Sequence, residues 1–320
     1  MIRAETFTKA PTPDWDTVTR KAVNGHFMFE RNYMDYHADR FDDHSLLFYD
    51  DRVHSDREPV AVLPAHRKGG DLISHQGLPF AGLLWTEDVR MNAMAESVQA
   101  LIDHMTKHDL SRLIYSPVPA PYKRFHDDED IYQIERAGAV VAGTKVGCSA
   151  RIGSNPGISK NRREIVNRAA RRGLRFETRI PLADSYGIIS NCLQEKFQKR
   201  PVHTLAELEL LTQRYPKAIR CDGVFHEDDL VHSIITFHSD TCVRAQYTGG
   251  TNRGRDMHAQ DFAFVSLVDA PEMQGRWFDF GTSMNPDTGD LQSKLHWYKE
   301  TLGGRASLLR TYMLDLRETQ

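Results

Sequence analysis

Four side chains in the C-terminal half of the sequence have types that can move a proton or stabilise a developing charge during catalysis. Asp279 lies inside the apolar run "RWFDFG", Lys299 and Glu300 follow in "YKETLGG", and Tyr247 precedes them in "QYTGG". An ammonium group can stabilise the oxyanion of a tetrahedral intermediate, and a carboxylate can orient or deprotonate an attacking amine. We therefore expect Lys299 to donate to the oxyanion and Tyr247 to protonate the leaving group. Asp279 is the expected base, and Glu300 is the alternative base.

Each of these residues also has a purely structural interpretation. Asp279 would cap the loop that follows it or pair with Arg305. Lys299 would be a surface residue of a helix. Tyr247 would be a half-buried packing residue. The sequence leaves these alternatives open.

The composition sets limits on the class of protein. The chain has 320 residues and 40% hydrophobic residues, which predicts a globular protein of two domains. Its formal net charge of −3 predicts no overall positive electrostatic potential that would attract nucleic acid. Four scattered cysteines predict neither a disulfide framework nor a zinc site. His104 and His108 lack a third ligand, so we expect an exposed pair and no metal. The absence of an apolar leader or membrane-length run predicts a cytoplasmic location.

The two halves of the chain share one pattern of predicted elements. In each half a three-strand meander is followed by a helix, a strand, a further helix and a further strand. The helices after the two meanders are predicted over about Arg90–His108 and His258–Met273. Leu113 and Phe278 hold matching places in the two repeats. The order predicts a mixed α/β (α+β) fold with domains over residues 1–150 and 151–320, divided where Gly, Pro, Ser and Asn cluster.

A basic segment follows this boundary. Residues 151–179 contain nine Lys or Arg against two Glu, with Ser159 as the expected N-cap of a helix and Gly173 just past its end. One interpretation is a solvated helix face. The other is a seat for the phosphates of a nucleotide, CoA or tRNA, with Arg162 and Arg163 as donor-binding residues.

Several short segments carry a resemblance to a known family. They are "SHQGLPFAG", "RPVHTLAELELL", "QYTGG", "FDFGTS" and "YKETLGG". In this order and spacing they resemble the FemAB-like (Fem-type aminoacyltransferase related) branch of the GNAT acyltransferase superfamily, from about Trp15 to Leu316. The resemblance implies two tandem GNAT-like domains, each a mixed, largely antiparallel sheet flanked by helices. It further implies an acceptor-binding N-terminal domain and a catalytic C-terminal domain.

The resemblance also implies roles for individual residues. Fem-type enzymes place a lysine near the reacting acyl group within an aromatic-Lys-x-x-aromatic-Gly segment, and here that lysine is Lys299, with Leu302 in place of the second aromatic residue. The residues that we expect to line the substrate cleft are Ser74, His75, Gln76, His203, Gln246 and Ser283.

The predicted donor loop departs from the GNAT pattern. GNAT enzymes that use acetyl-CoA hold its pyrophosphate on a glycine-rich loop that opens a helix. The matching segment here is Arg253–Phe262, in which Asp256 and His258 replace the glycines. Arg253 and Arg255 remain candidate donor-binding residues, and the donor is either an acyl-CoA or an aminoacyl-tRNA.

Two functions are compatible with these observations. The first is an N-acyltransferase of cell-envelope biosynthesis, which moves an acyl or aminoacyl group onto an amine of a cell-surface polysaccharide or peptidoglycan-type precursor. Its acceptor would be a small molecule or a nucleotide-sugar. The alternative is a degenerate, non-catalytic GNAT scaffold that binds a nucleotide-sugar or RNA.

Overall fold

The structure is a computed structural model that describes residues 1–8, 13–52, 58–154 and 156–318. The chain forms two compact units: unit 1 comprises Met1–Thr144 with Leu309–Gln320, and unit 2 comprises Lys145–Leu308. This division differs from the predicted domains chiefly at the C-terminus, because the last strand pairs within unit 1, with Leu314 opposite Leu113. Asn155, in the predicted boundary segment, lies outside the described residues.

The described residues of unit 1 form two sheets and four α-helices. Its strands are β1 (Ile2–Thr6), β2 (Asp42–Asp43), β3 (Leu46–Asp50), β4 (Ala61–Leu63), β5 (Ala65–Lys68), β6 (Asp71–Ser74), β7 (Leu84–Trp85) and β8 (Arg112–Tyr115). Its helices are α1 (Pro13–Lys21), α2 (Arg31–Met34), α3 (Met91–Lys107) and α4 (Glu129–Arg136). The smaller sheet has the order β1-β3-β4-β7.

Unit 2 is entered through strand β9 (Val140–Arg151). Its further strands are β10 (Leu174–Thr178), β11 (Ile219–His226), β12 (Asp229–His238), β13 (Cys242–Gly250) and β14 (Trp277–Thr282), and the chain leaves it through β15 (Arg305–Asp315). Its helices are α5 (Lys160–Arg171), α6 (Leu182–Phe197), α7 (Leu205–Arg214), α8 (Asn252–Asp256), α9 (Ala259–Val268) and α10 (Ser293–Thr301). Its sheet has the order β10-β11-β12-β13-β14-β9, and the larger sheet of unit 1 has the order β15-β8-β6-β5-β2.

The predicted repeat appears as one short parallel ladder in the larger sheet of unit 1 and another in the sheet of unit 2. In unit 1, β6 and β8 pair in parallel from Asp71 opposite Arg112 to Ile73 opposite Ile114. In unit 2, β13 and β14 do the same from Cys242 opposite Trp277 to Arg244 opposite Asp279. All other pairings described within each unit are antiparallel. Leu113 and Phe278 each occupy the middle of their ladder, so they hold the matching places that the sequence predicted. The predicted fold class, a mixed and largely antiparallel sheet flanked by helices in each half, is confirmed.

The helices show how burial follows from sequence. Helix α3 buries a stripe that includes Met94, Val98, Leu101 and Met105, which is the spacing of one face of an amphipathic helix. Helix α9, with the sequence AQDFAFVSLV, is apolar on nearly all sides and is correspondingly buried on nearly all sides.

The predicted ends of α5 are confirmed, whereas the helix predicted over about His258–Met273 ends earlier, because α9 covers only Ala259–Val268. Ser159 accepts a hydrogen bond from the Arg162 N–H as the N-cap of α5, and Gly173 follows the helix with a φ of 89°. The spacing of Thr204 and Glu207 also predicts a capping box, and the two residues form one at the start of α7.

Two local predictions are wrong. The sequence predicts a strand at "HFMF", but Phe27–Phe29 forms a buried 3-10 helix whose N-cap is His26. His104 is buried, not exposed, and its Nε2 lies 3.0 Å from the Nε2 of His44. In both cases tertiary packing decides the outcome, and the local sequence does not contain that information.

A buried histidine of strand β12 makes the stability of the fold depend on pH. His232 is buried beside Thr248, and burial lowers its pKa from about 6.5 to about 3. The unfolded chain therefore binds a proton more readily below pH 6.5, and the free energy of unfolding falls as the pH falls from 6.5 towards 3.

We predict that His232→Gln makes this pH dependence shallower. The contribution of one such histidine amounts to about 2 kcal/mol between pH 7 and pH 5. Urea unfolding of wild type and variant at both pH values measures it. Equal losses of stability in the two proteins would contradict the assignment.

Candidate active site

The parallel ladder of unit 2 ends at an ion pair. Arg244 on β13 donates from Nη1 to Oδ2 of Asp279 on β14 at 2.7 Å, and the N–H of Gly281 donates to Oδ1 at 2.7 Å. Asp279 is only 8% exposed. Both of its oxygens are thus engaged, one by a cation and one by the backbone. The predicted alternative partner, Arg305, donates instead to the carbonyl of Gly304.

Beyond this ion pair the two strands no longer pair, and each becomes irregular. On β13, Gln246 is the extra residue of a bulge, because Tyr247 lies opposite Ile235 and Ala245 lies opposite Thr236. On β14, the register with β9 shifts between Asp279 and Thr282. We call the region between Gln246–Thr248 and Phe280–Thr282 the splay. Arg244 also donates from Nε to Oε1 of Gln246 at 3.0 Å, so one guanidinium group connects both edges at its apex.

Lys299 of helix α10 binds the edge of the splay that β14 provides. Its Nζ donates to the carbonyl oxygens of Gly281 at 3.0 Å and Thr282 at 2.7 Å. The residue is 6% exposed, so the alternative of a surface helix residue is wrong. Burial lowers the pKa of Lys299 to about 8; the nearby Cys148 and Asp279 oppose this shift, and the Arg244 guanidinium adds to it. An ammonium group has three donors, and the hydrogen bonds within the described residues use two of them.

The loop and the glycine pair on either side of α10 fix the position of this lysine. Ser283 is fully buried; its N–H donates to the carbonyl of Val146, and its Oγ lies 3.2 Å from Nδ1 of His296 on α10. After the helix the chain turns at Gly303, whose φ is 92°. A Cβ on Gly304 would lie 2.5 Å from Sγ of Cys148, so the close approach of this turn to β9 requires glycine. Ser283 therefore lies within the scaffold of the site, while Glu300 on the same helix is partly exposed.

Tyr247 and His203 form a hydrogen-bonded pair. The Tyr247 hydroxyl lies 2.6 Å from Nδ1 of His203 and accepts the backbone N–H of the same residue at 3.2 Å. His203 is buried and directly precedes the capping box of α7, which fixes its backbone. Burial raises the pKa of Tyr247. The phenol is therefore protonated at neutral pH and can donate to the imidazole, so the pair can move a proton.

The three predicted cleft residues of unit 1 follow the other parallel ladder. Ser74 is buried and accepts the Ser116 N–H at 2.8 Å, which bridges the two strands. His75 is also buried, and its ring packs against His37, His66 and Phe41 at centroid distances of 4.7 to 5.5 Å. Burial lowers the pKa of His75 to about 3, so the ring is neutral at physiological pH.

Side chains crowd this end of the unit 1 ladder. Gln76 is exposed, whereas Ser74 and His75 are buried. A Cβ on the next residue, Gly77, would lie 2.0 Å from Nε2 of His37. Side chains of unit 1 itself therefore fill this place.

The four predicted donor-binding arginines are engaged within unit 2. Arg162 is buried, pairs with Asp261 at 2.8 Å and donates to Oγ1 of Thr301. Arg163 forms two hydrogen bonds with Asp269. Since these acidic partners already neutralise Arg162 and Arg163, we do not retain either as a phosphate ligand.

The predicted donor loop forms the short helix α8. Thr251 caps it by accepting the Gly254 N–H, so this donor is not directed at a ligand. Arg253 pairs with Asp229 and Glu227, and Arg255 donates to the carbonyl of Gly250. A Cβ on Gly254 would lie 2.2 Å from the Val231 carbonyl oxygen, so this glycine allows close packing. The segment thus lacks the glycine-rich cradle of a pyrophosphate loop.

Two general features of the described residues complete the site. No group of three His, Cys, Asp or Glu side chains among them is arranged to hold a metal ion. None of the described helices has the length and apolar character needed to cross a lipid bilayer. Among the described residues, Arg244 is a candidate that the sequence interpretation missed. The sequence does show a charged residue within a predicted strand, two positions before Gln246. Its partner, Asp279, could not be predicted, because strand pairing brings the two residues together.

No protein-family model matches the sequence, and no curated protein matches it either. Solved structures do match. FemX superposes with a TM-score of 0.67 at 11% identity, covering 99% of this chain and 98% of FemX. L-PGS from Bacillus licheniformis has a TM-score of 0.61 at 12% identity, covering 98% and 94% of the two chains.

A third match bears on the repeat. A tandem GNAT protein from the clavulanic acid biosynthesis pathway has a TM-score of 0.52 at 11% identity, and 99% of each chain is covered. These matches extend over nearly the whole chain, at identities that establish the fold alone. At the level of the fold, these matches confirm the resemblance found in the sequence: the chain has the fold of FemX and of a tandem GNAT protein.

Proposed function

We propose that the protein is an N-acyltransferase that moves an acyl or aminoacyl group onto an amine, and that the splay of unit 2 is its active site. The observation that carries this proposal is the buried Lys299, whose ammonium group makes two hydrogen bonds to the edge of the splay and retains a third donor. A preorganised cation in a site of low dielectric stabilises the oxyanion of acyl transfer far better than the same group in water.

The proposed reaction assigns a place to each proton. The amine nitrogen attacks the acyl carbon, and the carbonyl electron pair moves to the oxygen that Lys299 stabilises. As the intermediate collapses, the bond to the leaving group breaks and the leaving atom takes the proton of Tyr247. The proton released by the amine goes to Glu300, which is partly exposed and passes it to solvent. Tyr247 recovers a proton from solvent, and the His203 imidazole, which accepts the hydrogen bond of the phenol, holds the hydroxyl in position.

Asp279 receives a different role in this proposal. Its two oxygens accept hydrogen bonds from Arg244 and from the Gly281 N–H, so both are engaged in holding the strand ends. We therefore assign Asp279 and Arg244 to positioning: they fix the apex of the splay and orient Gln246, which we retain as a substrate-binding residue.

The donor is proposed to be an aminoacyl-tRNA rather than an acyl-CoA. The helix α8 segment lacks a pyrophosphate cradle, because its one glycine packs against β12 and its arginines have partners within unit 2. Besides Arg163, which pairs with Asp269, four basic residues on or next to α5 are exposed, namely Lys160, Arg168, Arg171 and Arg172. Such a row suits the phosphates of a nucleic acid. The resemblance to Fem-type enzymes supports an acceptor among cell-surface polysaccharide or peptidoglycan-type precursors.

We predict that Lys299→Met lowers kcat/KM for transfer by about 10²–10³-fold, because an oxyanion donor is lost. The assay follows a labelled amino acid from a charged tRNA pool, and acetyl groups from acetyl-CoA in parallel, to nucleotide-linked amino sugars. Lys294→Met is the matched control, since Lys294 is exposed on the same helix.

Thermal melting of both variants separates a chemical effect from unfolding. A folded Lys299→Met variant with wild-type activity would remove Lys299 from the mechanism. Absence of transfer by wild type with every donor, together with retained RNA binding, would favour the non-catalytic scaffold.

We predict that the protein binds tRNA in a salt-dependent manner and shows no saturable binding of acetyl-CoA in calorimetry. Replacing Arg168 and Arg171 by Ala should reduce the slope of log K against log salt by about 2, that is, about 1 for each phosphate contact. Arg214→Ala with Lys217→Ala removes the same charge elsewhere in unit 2 and should leave the slope unchanged. Micromolar acetyl-CoA binding with no tRNA binding would reverse the donor assignment.

A further inference from the structure

Unit 1 contains a cavity beside the start of helix α4 that the proposed reaction does not use. Its volume is about 430 Å³. The buried side chains of Val23, Trp85 and Val89 form part of its lining. Two aromatic side chains of the lining are unusually open to solvent, since Phe125 is 45% exposed and Tyr132 is 50% exposed. We call it the α4 cavity.

The polar lining of the α4 cavity is strongly acidic. Four carboxylates line it, those of Glu87, Asp127, Asp128 and Glu129, against the single guanidinium of Arg90. His126 and Tyr132 are the remaining titratable residues of the lining. Nε2 of His126 lies 3.6 Å from Oδ2 of Asp128.

Neighbouring residues neutralise only part of this charge. Arg124 lies 3.7 Å from Glu87, and Lys123 lies 3.5 Å from Asp128. Asp127 accepts the backbone N–H of Glu129. Oε2 of Glu129 is shielded from solvent and has no hydrogen-bond partner among the described residues. Burial raises the pKa of Glu129, and the nearby Asp127 raises it further. A carboxylate oxygen in this state would gain from a donor supplied by a ligand.

The helix alone does not account for the whole arrangement. Acidic residues favour the first turn of a helix, which explains why Glu129 and Asp130 occur there. It does not explain a cavity that Trp85, Phe125 and Tyr132 also line. A cation of the chain itself, the Lys123 ammonium, already lies 5.6 Å from the centre of the Trp85 ring. Aromatic faces and carboxylates have one ligand class in common, a cation with an apolar stem.

We propose that the α4 cavity binds a primary ammonium group carried on an alkyl chain, with Glu129 as its principal anion and the aromatic rings around its stem. A free diamine and the lysine side chain of a peptide share this chemistry. The proposal concerns unit 1 alone and does not depend on whether unit 2 catalyses transfer.

The test is calorimetric titration of the full chain with two amines and their neutral counterparts. Cadaverine is compared with 1,5-pentanediol, and N-acetyl-lysine amide with N-acetyl-norleucine amide. We expect the amines to bind and the neutral analogues to fail. Binding of cadaverine alone identifies a free diamine, and tighter binding of the lysine amide identifies a peptide side chain.

Two variants test the location of the site. Glu129→Gln should weaken amine binding at least about tenfold, because a charge-assisted hydrogen bond is lost. Asp103→Asn removes an exposed carboxylate of α3 in the same unit and should change nothing. The combined variant Phe125→Ala, Tyr132→Ala should also weaken binding without lowering the melting temperature, because both rings are largely exposed. The proposal is overturned if neither amine binds at millimolar concentration, or if the Glu129 and Asp103 variants bind alike.

Discussion

The ion pair between Arg244 and Asp279 is the interaction on which the geometry of unit 2 depends. A carboxylate inside an apolar strand is costly unless a cation and hydrogen bonds compensate it, and here Arg244 and the Gly281 N–H do so. The pair stands at the last rung of the only parallel ladder described in this unit. The next residues of each strand are held by it: Arg244 reaches the bulged Gln246, and Asp279 holds the Gly281 turn, whose carbonyl receives Lys299. Removal of one partner would leave a partly buried charge at the point where the site is built.

Each unit contains one short parallel ladder, but the side chains beyond the ladder differ between the two units. In unit 1 the strands after Ile73 and Ile114 are bridged by Ser74 and Ser116, and aromatic and imidazole rings fill the space. In unit 2 the corresponding region is bordered by the polar groups of Gln246, Tyr247 and Lys299, to which the proposed reaction assigns roles. A short parallel ladder occurs in both units, so the side chains and not the ladder distinguish the proposed active site. Ser74 and His75, which the sequence predicted to line a cleft, are instead buried within unit 1.

Local signals in the sequence predicted what local physics determines. The capping residues Ser159 and Thr204, the apolar stripe of α3 and the matching places of Leu113 and Phe278 depend on neighbours in sequence or on a repeated pattern. The partner of Asp279 is separated from it by 35 residues and is fixed by strand pairing, so the sequence suggested Arg305 instead. Arg162 belongs to a run of basic residues that suggests a solvated face or a phosphate seat, yet it is buried against Asp261. The pairing of the final strand within unit 1 has no local signal either.

The most direct test of the account is the pH dependence of kcat/KM for wild type and for Lys299→Arg. If the ammonium group of Lys299 stabilises the transition state, activity falls as the pH rises through about 8, where this lysine loses its proton. Arginine stays charged, so an active Lys299→Arg variant should lose this decline. A wild-type profile that stays level to pH 10, or a decline shared equally by the two proteins, would contradict the central role of Lys299.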